Sequence, residues 1–268
     1  MTRVGFIGAG RMGGPMVSRL VEAGHEVRGL ARSTESRTAL EASGAQAVST
    51  FAEVGADTDL VIICVFTDEQ VREVCLGSDL LASMPRGSTL VLHTTGSPRT
   101  AEAVTEHAAQ FGVAVVDSPV SGGPHDIAAG RLTLFVGGDA NTLARIQPTL
   151  ESYADPVLYV GPIGNGQRVK LVNNALFAAQ IGLLAEAVRL GTQLGIDEGD
   201  LLAALPYGSS NSRALTSVSA KGSVAAFADS VGDFLRKDVG VVRQVATELD
   251  GNLGLLDDAV NAALPNRV

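Results

Sequence analysis

The sequence has 268 residues, of which 46% are hydrophobic and 18% are charged, as is typical of an ordered globular protein. Its formal net charge is −9 and it contains no basic run, which argues against nucleic acid or an anionic membrane as its main partner. It has only two cysteines, one of them, Cys64, within an apolar run, so we expect reduced thiols and a cytoplasmic protein. A strand pattern follows Met1 closely, which predicts that there is no signal peptide.

Short apolar runs alternate with amphipathic stretches through residues 1–160. The apolar runs predict strands at 4–8, 26–30, 60–66, 89–92, 113–116, 132–137 and 157–160. The stretches between them predict helices at 12–23, 35–43, 68–75, 99–110 and 142–150. Strands that are apolar on both faces and separated by helices are typical of a parallel sheet with crossover helices, so we predict an α/β fold.

The composition changes after Gly161-Pro162-Ile163-Gly164, beyond which no strand pattern occurs. Residues 165–193 predict one long helix, and Asn173, Asn174, Gln180 and Glu186 make it too polar for a membrane span. Shorter helices are predicted near 197–205, 212–220, 233–249 and 253–264. We therefore predict two domains, an α/β domain at 1–162 and an all-α domain at 163–268.

The first predicted strand runs into a glycine-rich turn and then a helix, which is the context of a dinucleotide site. Glycines in this pattern allow a tight turn, close approach of a pyrophosphate and close helix–strand packing, and the helix N-terminus offers N–H groups to phosphate. The alternative is a glycine-rich turn with no ligand. We predict a Rossmann-type domain in which the following residues contact the cofactor: Gly8, Ala9, Gly10, Arg11, Met12 and Gly13.

The residues after the second predicted strand bear on the choice of cofactor. An enzyme that prefers NAD places an acidic side chain there to bind the ribose 2′-hydroxyl. No carboxylate occurs between Glu26 and Glu35, whereas Arg32 and Ser33 stand where a guanidinium could bind a 2′-phosphate. The alternative is an ordinary surface arginine. The sequence therefore favours NADP over NAD.

Four motifs occur in order: residues 5–13 (Gly-Phe-Ile-Gly-Ala-Gly-Arg-Met-Gly), 117–123 (Asp-Ser-Pro-Val-Ser-Gly-Gly), 164–174 (with Gly-Asn-Gly at its start and Lys-Leu-Val-Asn-Asn at its end) and 234–238 (Phe-Leu-Arg-Lys-Asp). Together they resemble the signatures of the β-hydroxyacid dehydrogenases. This family includes 3-hydroxyisobutyrate dehydrogenase, tartronate semialdehyde reductase and glyoxylate/succinic semialdehyde reductases, and it is 6-phosphogluconate dehydrogenase-like. The resemblance covers nearly the whole chain.

The resemblance implies roles for individual residues. Lys170 would be the catalytic lysine, and Asn174, one helical turn later, would bind substrate. The substrate carboxylate would be held by the Ser121 hydroxyl and the N–H groups of Gly122 and Gly123. The remaining implied contacts are with the cofactor: Thr95 near the nicotinamide, Val65 and Phe66 near the adenosine, and Lys237 from the helical domain.

General chemistry also favours a lysine in the catalytic position. Hydride transfer to a carbonyl leaves negative charge on oxygen, so a proton donor must lie within hydrogen-bond reach. A lysine can give up a proton and regain it, whereas an arginine cannot. The sequence has three lysines, and two of them, Lys170 and Lys237, fall on motif positions. The alternatives are a solvated helix charge at Lys170, an inter-helix hydrogen bond at Asn174 and a plain turn at 121–123.

Three features depart from the family pattern. Asp126-Ile127 stands where a Gly-Ala pair is usual, His93 precedes Thr94-Thr95 where Asp or Asn is usual, and the sequence ends at Val268 without the usual last segment. These changes touch the predicted substrate mouth and leave the substrate open. His93 fits a core histidine better than a second titrating group. The four histidines are scattered, with no metal-ligand spacing.

The sequence thus predicts an NADP-dependent oxidoreductase that acts on a small 3-hydroxy acid or its semialdehyde and uses no metal. One alternative is an imine reductase-like enzyme, although that group usually has Asp or Tyr in place of Lys170. Another is a catalytically silent binding module, which would be expected to lose the lysine. Because apolar residues surround much of the long helix, we also expect a homodimer or a higher homo-oligomer.

Overall fold

The computed structural model describes residues 1–263, apart from the side chains of residues 233, 234 and 263. Two compact units divide the chain, Met1–Lys170 and a second unit that begins at Leu171. The predicted end of the last helix at Leu264 lies outside the described residues. The long helix begins in the first unit and continues into the second, and the domain boundary between 162 and 163 stays a prediction.

The described part of the first unit contains nine strands and eight helices that lie wholly within it. The strands are β1 (Arg3–Ile7), β2 (Glu26–Leu30), β3 (Gln46–Val48), β4 (Leu60–Ile63), β5 (Thr89–Leu92), β6 (Ala114–Asp117), β7 (Val120–Ser121), β8 (Leu132–Gly137) and β9 (Ala154–Gly161). The helices are α1 (Gly13–Glu22), α2 (Thr34–Ala42), α3 (Phe51–Gly55), α4 (Asp68–Leu76), α5 (Leu80–Ser83), α6 (Pro98–Ala109), α7 (Pro124–Ala128) and α8 (Ala140–Leu150).

The strands form one sheet in the order β3-β2-β1-β4-β5-β6-β8-β7, with β9 paired to β8. The first six are parallel to their neighbours, as predicted. The predicted parallel sheet is thus confirmed, with one addition at the far edge, where β8 runs antiparallel to both β6 and β7. Hydrophobic runs do not encode strand direction, and an antiparallel pair can be joined by a short connection without a full crossover.

Alternation along the central strands builds a core on each face of the sheet. In β1, Phe6 belongs to one core and Ile7 to the other, and Ile62 and Ile63 of β4 divide in the same way. Successive strand residues point to opposite faces, so a strand covered on both sides is apolar throughout. Side-chain capping fixes where the covering helices begin, as at Thr67, whose hydroxyl accepts from the Gln70 N–H at the start of α4.

The second unit is helical throughout its described residues. After α9 (Asn165–Gln193) come α10 (Glu198–Ala204), a 3₁₀ turn (Leu205–Tyr207), α11 (Arg213–Lys221), α12 (Val224–Glu248) and α13 (Leu255–Ala263). Its main core gathers buried residues from α9, α11, α12 and α13, among them Ile181, Leu215, Val239 and Val260.

Helix α9 occupies the predicted range 165–193, but it is more apolar than its four polar residues suggested. By length and composition alone it is able to cross a membrane, since an 18-residue window has a mean hydropathy of 1.4, and 39% of that window is buried. The prediction that it is too polar for a span is therefore wrong, because the alanine, leucine, valine, isoleucine and phenylalanine residues of α9 outnumber its polar residues. A core helix of a globular protein has the same composition, and buried residues of α9 pack in the core just described.

Candidate active site

The loop between β1 and α1 has the geometry that a pyrophosphate requires. Gly8 has a φ of 99°, and a Cβ there would meet the carbonyl oxygen of Cys64. A Cβ on Gly13 would meet the carbonyl oxygen of Gly8, which keeps helix and strand close together. A Cβ on Gly10, by contrast, would meet no described atom within 4 Å. The loop therefore leaves open space at its middle glycine, where a phosphate can approach the backbone.

Helix α1 begins at this loop, and no described side chain caps it at Met12. No acidic residue lies in its first turn. Its first N–H groups and the positive end of its dipole are thus suited to an anion. The loop lies at the carboxyl edge of the sheet between β1 and β4, where the strand order reverses. These features fit the pyrophosphate of a nicotinamide dinucleotide.

The residues after β2 combine one positive and one negative side chain. Arg32 is exposed, with its guanidinium carbon 5.9 Å from the centre of the Phe51 ring. Ser33 is the N-cap of α2, and its Oγ accepts from the Ser36 N–H at 3.2 Å. A hydrogen bond from Ser33 also lowers the pKa of the exposed Glu35. A carboxylate therefore lies close enough to Ser33 to affect the electrostatics of this loop.

Two loops at the carboxyl edge of the sheet are joined by hydrogen bonds. Phe66 follows β4 and is 53% exposed, and its N–H donates to Gln70 at 2.8 Å. The carbonyl of Val65, one residue earlier, accepts from the hydroxyl of Thr94 at 2.9 Å. Thr94 precedes the buried Thr95 in the loop after β5. The structure therefore brings the predicted adenosine contacts and the predicted nicotinamide contact onto neighbouring strand ends.

Gln167, in the first turns of α9, holds the loop that contains Thr95. Its Nε2 donates to the carbonyl of Thr94 and its Oε1 accepts from the Gly96 N–H, both at 2.9 Å. Gln167 is only 2% exposed. The two hydrogen bonds lie on either side of Thr95, so this one side chain brackets the predicted nicotinamide residue.

Asp117, at the end of β6, holds the start of the same helix. Its carboxylate oxygens accept from the backbone N–H groups of Gly164 and Gln167, both at 2.7 Å. Burial raises the pKa of Asp117 from 3.8 to about 6, although the two N–H groups and Arg168 oppose the shift. Asp117 thus caps α9 from outside the helix.

Lys170 and Asn174 lie one turn apart on α9 and are 9% and 5% exposed. The amide of Asn174 donates from Nδ2 to the carboxylate of Asp238 at 2.9 Å, which fixes which end of the amide faces α12. Asp238 also lies 3.7 Å from Nζ of Lys237. The motif at 234–238 therefore supports Asn174, a contact that the sequence resemblance had not assigned, and the cofactor role of Lys237 stays a prediction.

The loop 121–123 contains the donors that the resemblance assigns to a substrate carboxylate. Ser121 is half-buried, and Gly122 has a φ of 131°. The N–H of Gly123 donates to the Asp126 carboxylate at 2.8 Å, at the start of α7. This N–H is therefore engaged within the chain, and its binding of a substrate carboxylate stays a prediction. Asp126 stands at one of the positions that depart from the family pattern.

The residues that motif analysis left unassigned are Asp117, Gln167 and Asp238. All three lie inside the quoted motifs, so the sequence held a signal, but their roles depend on contacts between elements far apart in the chain. Across residues 1–263, no group of three or more His, Cys, Asp and Glu side chains is placed to hold a metal ion.

Two family models account for most of the chain. The NAD binding domain of 6-phosphogluconate dehydrogenase matches residues 3–161. The NAD-binding domain of NADP-dependent 3-hydroxyisobutyrate dehydrogenase matches residues 164–263.

Individual proteins give the same result. The 3-hydroxyisobutyrate dehydrogenase of Pseudomonas aeruginosa is 34% identical over 216 residues, which cover 80% of this chain and 72% of that protein. The structure of Mycobacterium tuberculosis 3-hydroxyisobutyrate dehydrogenase with L-serine is similar with a TM-score of 0.87 at 30% identity, over 98% of this chain and 93% of that one. An imine reductase from a Pseudomonas species has a TM-score of 0.70 at 20% identity, over 98% and 92% of the two chains, which shows a shared fold alone. The chain belongs to the 3-hydroxyisobutyrate dehydrogenase family of NAD(P)-binding oxidoreductases.

Proposed function

We propose that this protein is an NADP-dependent oxidoreductase that interconverts a small 3-hydroxy acid and its semialdehyde. The observation that carries the proposal is the position of Lys170, a 9% exposed lysine on a helix whose start is held by Asp117. Enclosing an ammonium group costs free energy, so lysines are seldom buried without a specific role.

When bound, the nicotinamide supplies a hydride to the carbonyl carbon of the semialdehyde. The carbonyl oxygen then takes a proton from Nζ of Lys170, which gives the alcohol and leaves a neutral amine. In the oxidation direction the amine takes the hydroxyl proton back. Asn174, one turn along α9, is the proposed substrate-binding residue, and its amide is oriented by Asp238. In this mechanism Asn174 orients the substrate, and Lys170 gives a proton to the substrate oxygen or takes it back.

The cofactor proposal is supported by the residues around the 2′-position. Arg32 is exposed beside the start of α2, and a guanidinium binds phosphate in a bidentate manner. Glu35 acts in the opposite sense, because its carboxylate places negative charge at Ser33. The matched family model of the second unit is itself named for an NADP-dependent enzyme. We assign NADP because Arg32 offers a bidentate donor for a 2′-phosphate and the matched family model is named for an NADP-dependent enzyme.

A carboxylate-bearing substrate is supported by the relatives and by Ser121. A relative's structure is described with L-serine, which carries both a 3-hydroxyl and a carboxylate. The Ser121 hydroxyl and the Gly122 N–H remain as donors for that carboxylate, while Gly123 is engaged by Asp126. We expect binding through fewer donors than the resemblance implies.

Self-association is supported by an exposed stripe on α9. Leu176, Leu183 and Leu190 recur every seven residues and are 48%, 60% and 52% exposed. Such spacing suits pairing with another helix, and we propose a homodimer through this stripe, which sedimentation of the purified protein would test. A cytoplasmic location is part of the proposal, and it rests on Cys64 and Cys75, neither of which is in a disulfide.

The function is tested by following NADPH oxidation with a panel of short semialdehydes, keto acids and cyclic imines. Turnover of a carboxylate-bearing semialdehyde is the expected result. Turnover of cyclic imines alone would instead assign an imine reductase. NADPH binding with no turnover across the panel would favour a silent binding module.

A further inference from the structure

The first turns of α9 are tied to three strand ends by side chains within the first unit. Asp117 after β6 accepts from two backbone N–H groups of the helix start. Gln167 reaches from the helix to the loop after β5. The Thr94 hydroxyl in turn donates to the carbonyl of Val65 in the loop after β4. We call this set of hydrogen bonds the Asp117–Gln167–Thr94 network. Their lengths are between 2.7 and 2.9 Å.

Gln167 is the central member of this network because its backbone N–H and both polar atoms of its side chain make hydrogen bonds. Its backbone N–H donates to Asp117, its amide nitrogen donates to Thr94 and its amide oxygen accepts from Gly96. A side-chain amide donates at its nitrogen and accepts at its oxygen at every ordinary pH. A carboxylate would repel the Thr94 carbonyl, and an aliphatic side chain would leave a buried donor and acceptor unpaired.

The position of Gln167 also relates two residues of the proposed reaction. Lys170 follows it by three residues, which places both on neighbouring positions of one helix face. Thr95 lies between the two loop groups that Gln167 binds. A shift in this side chain would therefore move the Thr95 loop relative to the helix segment that bears Lys170.

We propose that Gln167 is a positioning residue, which fixes the loop of the nicotinamide contact Thr95 against the helix of the proton donor Lys170. This inference rests on the proposed function for the roles of Thr95 and Lys170. The hydrogen bonds on which it depends join residues of this chain to one another. They can therefore be tested independently of turnover.

Two substitutions separate positioning from simple filling of space. Gln167→Leu retains approximate volume but removes both loop hydrogen bonds. Gln167→Glu is nearly isosteric, and its neutral form can donate to Thr94 and accept from Gly96 as glutamine does. Gln193→Glu, at the exposed end of the same helix, is the matched control for adding a carboxyl group.

The charges around position 167 set the direction of the pH effect. The Asp117 carboxylate faces the backbone N–H of residue 167, and Asp68 accepts from Ser97 in the adjoining loop. Lys170 follows one turn later, and Arg168 is paired with Glu102. Burial and the nearby Asp117 favour the neutral form of a carboxyl at position 167. Acidification therefore restores the donor in Gln167→Glu.

Hydrogen exchange of the Gly96 amide is measured first, on the full chain without cofactor. We expect about tenfold faster exchange in Gln167→Leu, because its acceptor is lost. In turnover with NADPH, we expect kcat of Gln167→Leu to fall roughly 10–100-fold, since small displacements of reacting groups cost that much. The Kd for NADPH should change little, because the phosphate loop is intact.

The pH dependence of kcat tests whether a neutral glutamate at position 167 can replace the glutamine. Relative to wild type at each pH, kcat of Gln167→Glu should rise as the pH falls, whereas that of Gln167→Leu should stay flat. Unchanged Gly96 exchange in Gln167→Leu would overturn the proposal, as would normal kcat despite faster exchange. The proposal would also be overturned if Gln167→Glu folds but its kcat relative to wild type does not change with pH. If wild-type protein turns over no substrate, the proposed function fails, and Gly96 exchange still decides whether Gln167 holds the loop.

Discussion

Nε2 of His93 lies 2.8 Å from the hydroxyl of Tyr153, and both side chains are buried. The other ring nitrogen, Nδ1, lies 2.6 Å from the carbonyl oxygen of Ser118. A carbonyl can only accept, so Nδ1 carries the proton and Nε2 accepts from the Tyr153 hydroxyl. His93 is therefore a neutral core histidine with both nitrogens satisfied, which agrees with the interpretation that the sequence favoured.

This arrangement predicts that His93 lowers stability in acid. Burial lowers the pKa of His93 from 6.5 to about 4 in the folded protein. The unfolded chain binds the proton more tightly, so the stability contributed by the neutral ring is present above pH 6.5 and is lost as the pH falls toward 4. Urea unfolding of wild type and His93→Gln should show a difference in unfolding free energy that shrinks with acidification. A difference that is constant with pH would contradict the assignment.

Asp117 predicts a pH dependence of the opposite sign. Its pKa is raised from 3.8 to about 6 by burial, so the folded state holds the proton more tightly than the unfolded chain. The associated stability is fully present below pH 3.8 and is lost as the pH rises through 6. Two pKa units correspond to on the order of 3 kcal/mol. In urea titrations, the difference in unfolding free energy between wild type and Asp117→Asn (wild type minus variant) should fall as the pH rises through this window. A rise would exclude a raised pKa for Asp117.

The sequence predicted the elements that follow a local period better than those that depend on distant partners. Helix α9 has its predicted ends because a long apolar stripe and the preceding glycines mark them. Strand β3 (Gln46–Val48) was missed because three residues are too few to show alternation. The antiparallel direction of β8 could not be predicted, because the pattern along a strand does not record its neighbour's direction.

The candidate site shows the same limit. The motifs identified Lys170, Asn174 and the glycine loop, since residue type and spacing carry that information. They gave no account of Asp126, because its effect depends on which N–H its carboxylate meets in space. The reach of Glu35 back to Ser33 was missed for the same reason.

Asp126 is expected to weaken binding of carboxylate substrates. It occupies the Gly123 N–H and places negative charge in the loop that would receive a carboxylate. Asp126→Ala should lower KM for a carboxylate-bearing semialdehyde several-fold, with little change in kcat, while the lost cap lowers stability by about 1 kcal/mol. Asp139→Ala is the matched control, since Asp139 caps α8 by accepting from Thr142 and lies outside the four motifs. Equal KM changes in both variants would show that the effect is not specific to this loop.

Arg32 and Glu35 are expected to affect NADPH binding in opposite directions. Loss of a charge-assisted contact to the 2′-phosphate in Arg32→Ala should raise the Kd for NADPH about 10–100-fold. Glu35→Gln should lower that Kd, because the carboxylate held by Ser33 repels the phosphate. The Kd for NADH should be nearly unchanged in both variants, and titration calorimetry with the two cofactors measures this. A wild-type preference for NADH would reverse the assignment of cofactor.

Lys170 is expected to act as the acid in carbonyl reduction and as the base in alcohol oxidation. If it transfers a proton in the transition state, Lys170→Met should lower kcat by roughly 10²–10⁴-fold. The Kd for NADPH should barely change, because the glycine loop and α1 are untouched. Lys170→Arg should be almost as slow as Lys170→Met, since it keeps the positive charge but not a proton that can be transferred. Steady-state kinetics in both directions distinguish proton transfer by Lys170 from an effect of its charge alone. Lys221→Arg, on the exposed end of α11, is the control. Near-normal turnover by Lys170→Arg would mean that the ammonium group acts through its charge alone, and the acid–base role would then be rejected.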